Sequence, residues 1–204
     1  MSDISMTILH ISDTHGLHKQ LLDLPLADII IHSGDITENG TEEEVFDFVN
    51  WFCDLPYKYK IFIAGNHDTC LRGVKLEGLD ENCYYLDGSD VIIEGLKFYG
   101  IPLFTCDQQE GRLAKLIKRI PKDIDVLITH VPPLGILDYA DQTNYGDFAI
   151  LEADSEICPK LHLFGHVHSQ NGICKMDRTT YSNASLISSD FQRLLQQNIK
   201  IHKI

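Results

Sequence analysis

Five short clusters of polar residues follow apolar stretches in this sequence, and their residue types are those that bind metal ions. The most informative cluster is Asn66-His67-Asp68, directly after the apolar run 61–65, which ends in glycine. An apolar run of β-forming residues predicts a buried strand, and ligands in open α/β sheets bind beyond the carboxyl ends of strands. Alone, this cluster could simply cap a following helix.

The four other clusters occupy equivalent places, each at the end of a predicted strand. Their candidate ligands are Asp13, His15, Asp35, His130, His166 and His168. Within two of the clusters the ligands are spaced i, i+2, so that both can converge from one short extended loop. Carboxylate oxygens, imidazole nitrogens and amide oxygens are typical ligands of hydrolytic first-row metal ions.

Together these residues suffice for two metal ions. One set comprises Asp13, His15, Asp35 and His168, and the other comprises Asp35, Asn66, His130 and His166. Asp35 would bridge the ions, and positions would remain for water and a phosphoryl oxygen. Two ions ~3.5–4 Å apart clamp the attacking and leaving oxygens of an in-line displacement. Each cluster alone could be an ordinary turn or loop, but their joint occurrence at strand ends favours the metal site.

The elements that would position these clusters alternate between strands and helices. Apolar runs predict strands at residues 7–12, 28–32, 59–63, 125–129 and 161–164, with further strands around 179–182 and 199–202. Thr41, with Glu44 three residues later, predicts a capping box that begins a helix of about ten residues or more. A hairpin at 91–99 and helices at 17–22, 111–120 and 148–153 complete the prediction. Strands alternating with helices, followed by hairpins, indicate a layered α/β fold with a mixed sheet.

Length and composition are those of an ordinary globular protein, and we expect a single domain over residues 1–204. Hydrophobic residues make up 44% of the chain and charged residues 23%. No apolar run approaches the ~20 residues that cross a bilayer, and the first residues lack the basic region of a signal peptide. The six cysteines include no CxxC pair. We therefore expect a cytoplasmic protein with reduced thiols and no membrane partner.

The formal net charge of −13 argues against one class of partner. Proteins that bind along a nucleic-acid duplex neutralise many phosphates with lysine and arginine. No duplex nucleic acid is expected here, although two bound dications could still attract a single phosphate group. The oligomeric state is left open.

The five clusters resemble the five sequence blocks of the calcineurin-like metallophosphoesterase superfamily. Asp-x-His, Gly-Asp, Gly-Asn-His-Asp, His and Gly-His-x-His occur in this order between positions 13 and 168. Four longer segments, at 55–67, 129–135, 159–166 and 180–185, are similar to the metallophosphoesterase-domain-containing phosphodiesterases. The resemblance implies a four-layer α/β/β/α sandwich with mixed β-sheets and the same assignment of ligands to two ions.

The resemblance also implies catalytic roles. His67 would be the general acid that protonates the leaving oxygen, or a donor to the phosphoryl group, and Asn66 would also contact the substrate. Asp68 would orient the His67 imidazole, with a helix cap as its alternative role. A water that bridges two dications loses a proton easily, and the resulting hydroxide would attack phosphorus in line. Some animal members have glycine where this chain has His166, so we expect a competent two-metal site here.

The favoured function is hydrolysis of small phosphodiesters, with cyclic nucleotides among the candidates. The alternatives are a phosphomonoesterase or protein phosphatase, a binding scaffold without catalysis, and a nuclease, which the net charge disfavours. Manganese is the favoured ion, and iron, zinc, nickel and magnesium stay open. We expect His10, His32 and His162 to be buried packing residues. Tyr139, Asn144 and Tyr145 either line the substrate pocket or lie in a solvated loop.

Overall fold

Two mixed β-sheets form the centre of the structure, a computed structural model that describes residues 5–107 and 109–204. The first sheet contains β1 (Thr7–Ile11), β2 (Ile29–His32), β3 (Tyr59–Phe62), β4 (Cys83–Tyr85) and β13 (Lys200–Lys203). Their order is β13-β1-β2-β3-β4. β1 to β4 are parallel, so their carboxyl ends lie at one edge, and β13 runs antiparallel to β1.

The second sheet has the order β11-β12-β10-β7-β6-β5. Its strands are β5 (Ser89–Ile93), β6 (Leu96–Ile101), β7 (Val126–Thr129), β10 (Leu161–Phe164), β11 (Gly172–Met176) and β12 (Thr179–Asn183). β6, β7, β10 and β12 are parallel, and the two outermost strands, β5 and β11, are antiparallel to their neighbours. A small separate hairpin joins β8 (Tyr139–Ala140) to β9 (Thr143–Asn144).

Helices cover the outer face of each sheet. The α-helices are α1 (Glu42–Asp54), α2 (Arg112–Ile117) and α3 (Phe148–Ile157), and single turns of 3-10 helix occur at His18–Gln20, Thr69–Leu71, His168–Gln170 and Gln196–Asn198. The predicted capping box is present, because the Thr41 hydroxyl accepts a hydrogen bond from Glu44 N while the Glu44 carboxylate accepts one from Thr41 N. None of these described helices is long and apolar enough to cross a membrane.

The buried residues form three apolar layers, which confirms the predicted four-layer α/β/β/α sandwich. Phe48 and Phe52 of α1 pack against Phe62 on the outer face of the first sheet. Between the sheets, the apolar residues include Ile8, Ile31, Ile61, Ile128 and Leu163. Outside the second sheet, α2 and α3 cover Leu127 with Leu116 and Ile150. Because successive residues of a strand point to opposite faces, strands buried on both sides are continuously apolar in sequence.

The predicted elements differ from the observed ones mainly at the edges. The principal strands end within about one residue of their predicted bounds, whereas β4, β11 and the short hairpin β8–β9 were not predicted. β4 and β11 lie at a sheet edge, where β11 carries exposed residues and β4 has only three residues. The hairpin lies in a segment that was predicted to be a loop. The predicted helix at 17–22 is a single 3-10 turn, the one at 111–120 is shorter than predicted, and the one at 148–153 extends to Ile157.

Candidate metal centre

The candidate ligands meet where the carboxyl ends of strands from the two sheets lie close together. β1, β2 and β3 are followed by Asp13, Asp35 and Asn66, and β7 and β10 are followed by His130 and His166. Hydrogen bonds join the sheets here: His166 N donates to the Asp13 carboxylate at 3.1 Å, and His130 Nδ1 donates to Ser33 O at 2.9 Å. Loops that are distant in sequence are thereby held in one site.

The first predicted ligand set is assembled in the structure. One potential ligand atom from each of its members, Asp13, His15, Asp35 and His168, lies within 4.8 Å of all the others. His168 Nε2 is 3.4 Å from Asp13 Oδ1, and His15 Nε2 is 3.7 Å from Asp35 Oδ2. These four residues could therefore hold one ion.

The second predicted set lies beside the first and shares Asp35 with it. His130 Nε2 is 3.3 Å from Asp35 Oδ2 and 3.1 Å from Asn66 Oδ1. The imidazole rings of His130 and His166 have centroids 5.2 Å apart. Asp35 therefore contacts members of both sets, which is the position that a bridging carboxylate requires.

The chemistry of His15 fits a metal ligand better than a packing residue. Both of its ring nitrogens are buried and neither makes a hydrogen bond of good geometry, although the Glu38 carboxylate lies 3.2 Å from Nδ1. A buried polar group without a partner costs roughly 1–3 kcal/mol, so an imidazole is seldom left in this state. A divalent ion at the Asp13–Asp35 carboxylates would satisfy one of these nitrogens.

The electrostatics of the site also fit bound cations. Burial disfavours ionisation of Asp35, but the adjacent charge of His130 and its hydrogen bond lower the Asp35 pKa to about 2. Burial likewise disfavours a charged His130, but Asp35 raises the His130 pKa to about 9. Asp13 is fully buried, yet its hydrogen bond with His168 and the charge of His130 hold its pKa well below the usual value. Two buried carboxylates thus stay negative and need positive charge beside them, which fits divalent ions.

Four of the ligands lie in a left-handed backbone conformation. The φ angles are 54° for Asp13, 43° for His15, 57° for Asp35 and 68° for His166. Residues other than glycine rarely adopt positive φ, and such residues cluster at functional sites. The surrounding fold therefore holds strained loops in the shape that directs these side chains toward one another.

Two glycines leave room for the carboxylates. A Cβ atom at Gly65 would lie 2.2 Å from Asp35 Oδ1, and one at Gly165 would lie 2.1 Å from Asp13 Oδ2. Each glycine directly precedes a candidate ligand, Asn66 or His166. Glycine is thus required at both positions because a larger residue would collide with a carboxylate, that of Asp35 at Gly65 and that of Asp13 at Gly165.

Asp68 does not orient His67, so that prediction is wrong. Its carboxylate accepts hydrogen bonds from the main-chain N–H groups of Ile36, Thr37 and Gly65 and from the Thr37 hydroxyl. These four donors surround a fully buried side chain and hold the loop after β3 against the loop after β2. The alternative role is also absent, because Asp68 precedes a 3-10 turn but makes no side-chain capping bond to it. Asp68 is a structural residue.

Glu38, and not Asp68, contacts the imidazole of His67. Its main-chain oxygen accepts a hydrogen bond from His67 Nδ1 at 2.8 Å, and its carboxylate lies 3.2 Å from His15 Nδ1. Potential ligand atoms of His15, Glu38 and His67 lie within 4.8 Å of one another. The sequence analysis missed Glu38 because acidic residues are ordinary ahead of a helix. The available signal was its position three residues after Asp35, in the same loop.

Comparison with known proteins identifies the family. The sequence model of the calcineurin-like phosphoesterases matches residues 6–170, which include all the predicted ligands. The chain belongs to the calcineurin-like phosphoesterase family. The predicted superfamily and subfamily are both confirmed, since the curated relatives include metallophosphoesterase domain-containing protein 1 of Homo sapiens. That protein is 33% identical over 89% of this chain and 66% of its own length, so this phosphoesterase chain spans about two thirds of it.

Two further comparisons are informative. The probable glycerophosphodiester phosphodiesterase GpdQ of Arcobacter nitrofigilis is 28% identical over 68% of this chain and 62% of that protein. One solved crystal structure has a TM-score of 0.65 over 98% of this chain and 99% of that chain, at 16% identity. The structural likeness shows that the fold is shared.

A cleft of about 780 Å³ opens beside the candidate metal centre. His166 and His168 line it, together with the aromatic residues Tyr145 and Phe191. Of the three loop residues considered for the pocket, only Tyr145 is among the described residues that line this cleft. Asn144 instead donates a hydrogen bond to Asp138 at 2.7 Å. Neither lysine nor arginine lines the cleft within the described ranges.

The three histidines that were predicted to be packing residues, His10, His32 and His162, are buried and hydrogen-bonded. His10 contacts the hydroxyls of Ser33 and Ser182, and His32 contacts that of Thr14 at 2.9 Å. His162 lies between Thr129 and Asp154, with nitrogen–oxygen distances of 2.8 Å to each. The prediction for these three residues is confirmed.

Proposed function

We propose that this phosphoesterase hydrolyses small phosphodiesters with two divalent metal ions held by the seven predicted ligands. The observation that carries the proposal is the position of Asp35, whose carboxylate lies 3.7 Å from His15 Nε2 in one set and 3.3 Å from His130 Nε2 in the other. When bound, the ions would supply an activated water and neutralise charge on the phosphoryl oxygens. Manganese is the ion that we would test first.

The chain's own residues would orient the ester and supply a proton. His67 donates from Nδ1 to the main chain of Glu38, which leaves Nε2 free to face the substrate. In the imidazolium form, Nε2 would carry the proton that the leaving oxygen needs. The Asn66 oxygen faces His130, so its amide N–H group is free to donate to a phosphoryl oxygen.

The cleft favours diesters over monoesters. A monoester dianion is commonly held by arginine or lysine, and neither lines the cleft within the described part of the chain. Phe191, Ile187 and Leu195 instead offer apolar surface to an organic substituent. The net charge of −13 also repels a dianion more strongly than a monoanion. The relative named as a probable glycerophosphodiester phosphodiesterase supports the same choice.

The test compares bis(p-nitrophenyl) phosphate with p-nitrophenyl phosphate, which share a leaving group, in the presence of manganese. We expect the diester to have the higher kcat/KM and Asp35→Asn to abolish its hydrolysis. Asp123→Asn is the matched control, because Asp123 is 75% exposed and pairs with Lys97. A preference for the monoester would instead support a phosphomonoesterase. No turnover of either ester by protein with two bound ions would contradict the proposed function.

A further inference from the structure

Phe191 is a bulky aromatic residue in a strained conformation at the rim of the metal centre. Its φ angle is 56°, and its side chain is 40% exposed. Positive φ is a genuine outlier for a bulky side chain. Strained backbone conformations of this kind cluster at active sites and ligand-binding positions.

The ring lies against two candidate ligands of the same ion. Its centroid is 5.3 Å from that of His15 and 5.1 Å from that of His168, with interplanar angles of 74° and 68°. These T-shaped contacts hold the ring in place, and 40% of the residue stays exposed. A substituent on a phosphoryl group at this centre would therefore meet Phe191 immediately.

A network of hydrogen bonds holds the turn that presents Phe191. Its N–H donates to Ser188 O at 2.9 Å, and Ser188 N donates to Arg193 O at 2.9 Å. Arg193 N donates to the Ser188 hydroxyl at 3.2 Å, and Gln192 N donates to Asp190 Oδ1 at 3.2 Å. The positive φ is thus enforced by its surroundings.

The cleft beside Phe191 has the size and character to take a flat organic group. Its volume of about 780 Å³ exceeds what a phosphoryl group needs, and Ile187 and Leu195 add apolar surface to its wall. Tyr145 borders it on the side of His166, with ring centroids 6.4 Å apart. His67 is not among the described residues that line it, so a group leaving at His67 would not occupy this cleft.

We propose that Phe191 is a stacking platform for a planar aromatic ring in the ester group that stays on phosphorus, and thereby selects phosphodiesters with an aryl or nucleobase substituent. The proposal rests on the proposed function for the position of the phosphoryl group. Stacked rings gain free energy beyond their buried area, which an aliphatic side chain of similar volume does not supply.

The kinetic test uses two diesters with the same leaving group, bis(p-nitrophenyl) phosphate and methyl p-nitrophenyl phosphate. The ratio of their kcat/KM values reports on the retained group. We expect Phe191→Leu to lower this ratio between about three- and tenfold, and Phe191→Trp to preserve or raise it. Phe46→Leu, at an exposed phenylalanine of α1, should leave the ratio unchanged. An unchanged ratio in Phe191→Leu overturns the proposal.

A binding test separates this proposal from the proposed function. Phenylphosphonate and methylphosphonate carry a carbon–phosphorus bond that hydrolysis does not cleave, and their affinities for the metal-loaded protein can be measured by calorimetry. We expect a preference for the phenyl compound that Phe191→Leu removes and Phe191→Trp retains. If that pattern holds while neither diester is turned over, the proposed function fails and the platform stands. If the wild-type protein shows no phenyl preference, the platform is rejected.

Discussion

The main-chain oxygen of Glu38 lies 2.8 Å from Nδ1 of His67, so a peptide group rather than a carboxylate holds the proposed proton donor. The Glu38 carboxylate has a different neighbour, His15 Nδ1, at 3.2 Å. Because the two contacts use different parts of one residue, a substitution at Glu38 can disturb His15 while the bond to His67 persists. The two roles can therefore be examined separately.

Removing the Glu38 charge should weaken metal binding. A carboxylate that faces the second nitrogen of a ligating imidazole fixes its orientation and raises its basicity. We expect Glu38→Gln to lower the affinity for one ion about 10- to 100-fold, measured by competition with a chelator. Glu43→Gln, at an exposed residue in the first turn of α1, is the matched control. Unchanged affinity in Glu38→Gln would show that the carboxylate does not position His15.

Loss of His67 should matter most for poor leaving groups. A general acid contributes roughly 10²- to 10⁴-fold when the leaving oxygen is basic, and much less when it is already stable as an anion. We expect His67→Ala to retain both ions and to lose activity in this range on an alkyl diester, with a smaller loss on a p-nitrophenyl diester. An equal loss on both esters would assign His67 to phosphoryl binding.

The two ligand sets predict different metal stoichiometries in two variants. Asp35 contacts both sets, so we expect Asp35→Asn to lose most binding of both ions. His168 belongs to the first set alone, so His168→Ala should retain about one ion per chain. Elemental analysis after gel filtration measures both, with Asp123→Asn as the control. Retention of two tightly bound ions in Asp35→Asn would rule out the bridging role.

The glycine before His166 should not tolerate alanine. The added Cβ would lie 2.1 Å from Asp13 Oδ2 and from Ser12 Oγ, so the Asp13 carboxylate must move. We expect Gly165→Ala to lose about 1–3 kcal/mol of unfolding free energy and most of its metal affinity. Gly172→Ala is the matched control, since the nearest neighbour of its added Cβ would be the Leu137 side chain at 3.5 Å, an ordinary contact. Equal stability of the two variants would contradict the close packing at Asp13.

The metal-free protein should lose stability as the pH falls, in part through His202. Burial and the nearby charge of Lys200 lower the His202 pKa to about 4, against about 6.5 in an unfolded chain. Between these values the unfolded chain binds a proton that the folded chain excludes, so the unfolding free energy decreases as the pH falls. The loss from this residue approaches about 3 kcal/mol near pH 4.

Urea unfolding between pH 7.5 and 4.5 measures this dependence. We expect His202→Gln, which can still bond to the Ser182 hydroxyl, to have a shallower pH dependence than the wild-type protein. Lys203→Gln, at an exposed neighbour on β13, should keep the wild-type slope. Parallel curves for wild type and His202→Gln would show that His202 is not held neutral in the fold.

The predicted elements that proved accurate are those whose residues are buried on both faces. Ile29–Ile31 forms an unbroken apolar run, and three of the four residues at 161–164 are apolar, so both segments indicated a buried strand. The capping box at Thr41 was equally clear, because its two reciprocal bonds need particular residue types three positions apart. Since parallel strands align their carboxyl ends, strand prediction also indicated that Asp13, His15, Asp35 and His168 lie close together, as they do in the structure.

The parts that could not be predicted depend on contacts between distant segments. Asp68 follows His67 in sequence, but its four donors come from two loops, and only the folded structure shows that its carboxylate turns away. Glu38 contacts His15 across 23 positions, and no local pattern marks it. Phe191 follows Asp190 in a polar stretch, and its closeness to His168 depends on how the chain returns after β12.

The left-handed backbone at His166 bears on how this family can change. At a φ of 68°, glycine is the residue that fits without steric cost, so replacing His166 by glycine removes a ligand and relieves backbone strain in one step. A His166→Gly change would therefore remove a candidate metal ligand at little cost to the backbone.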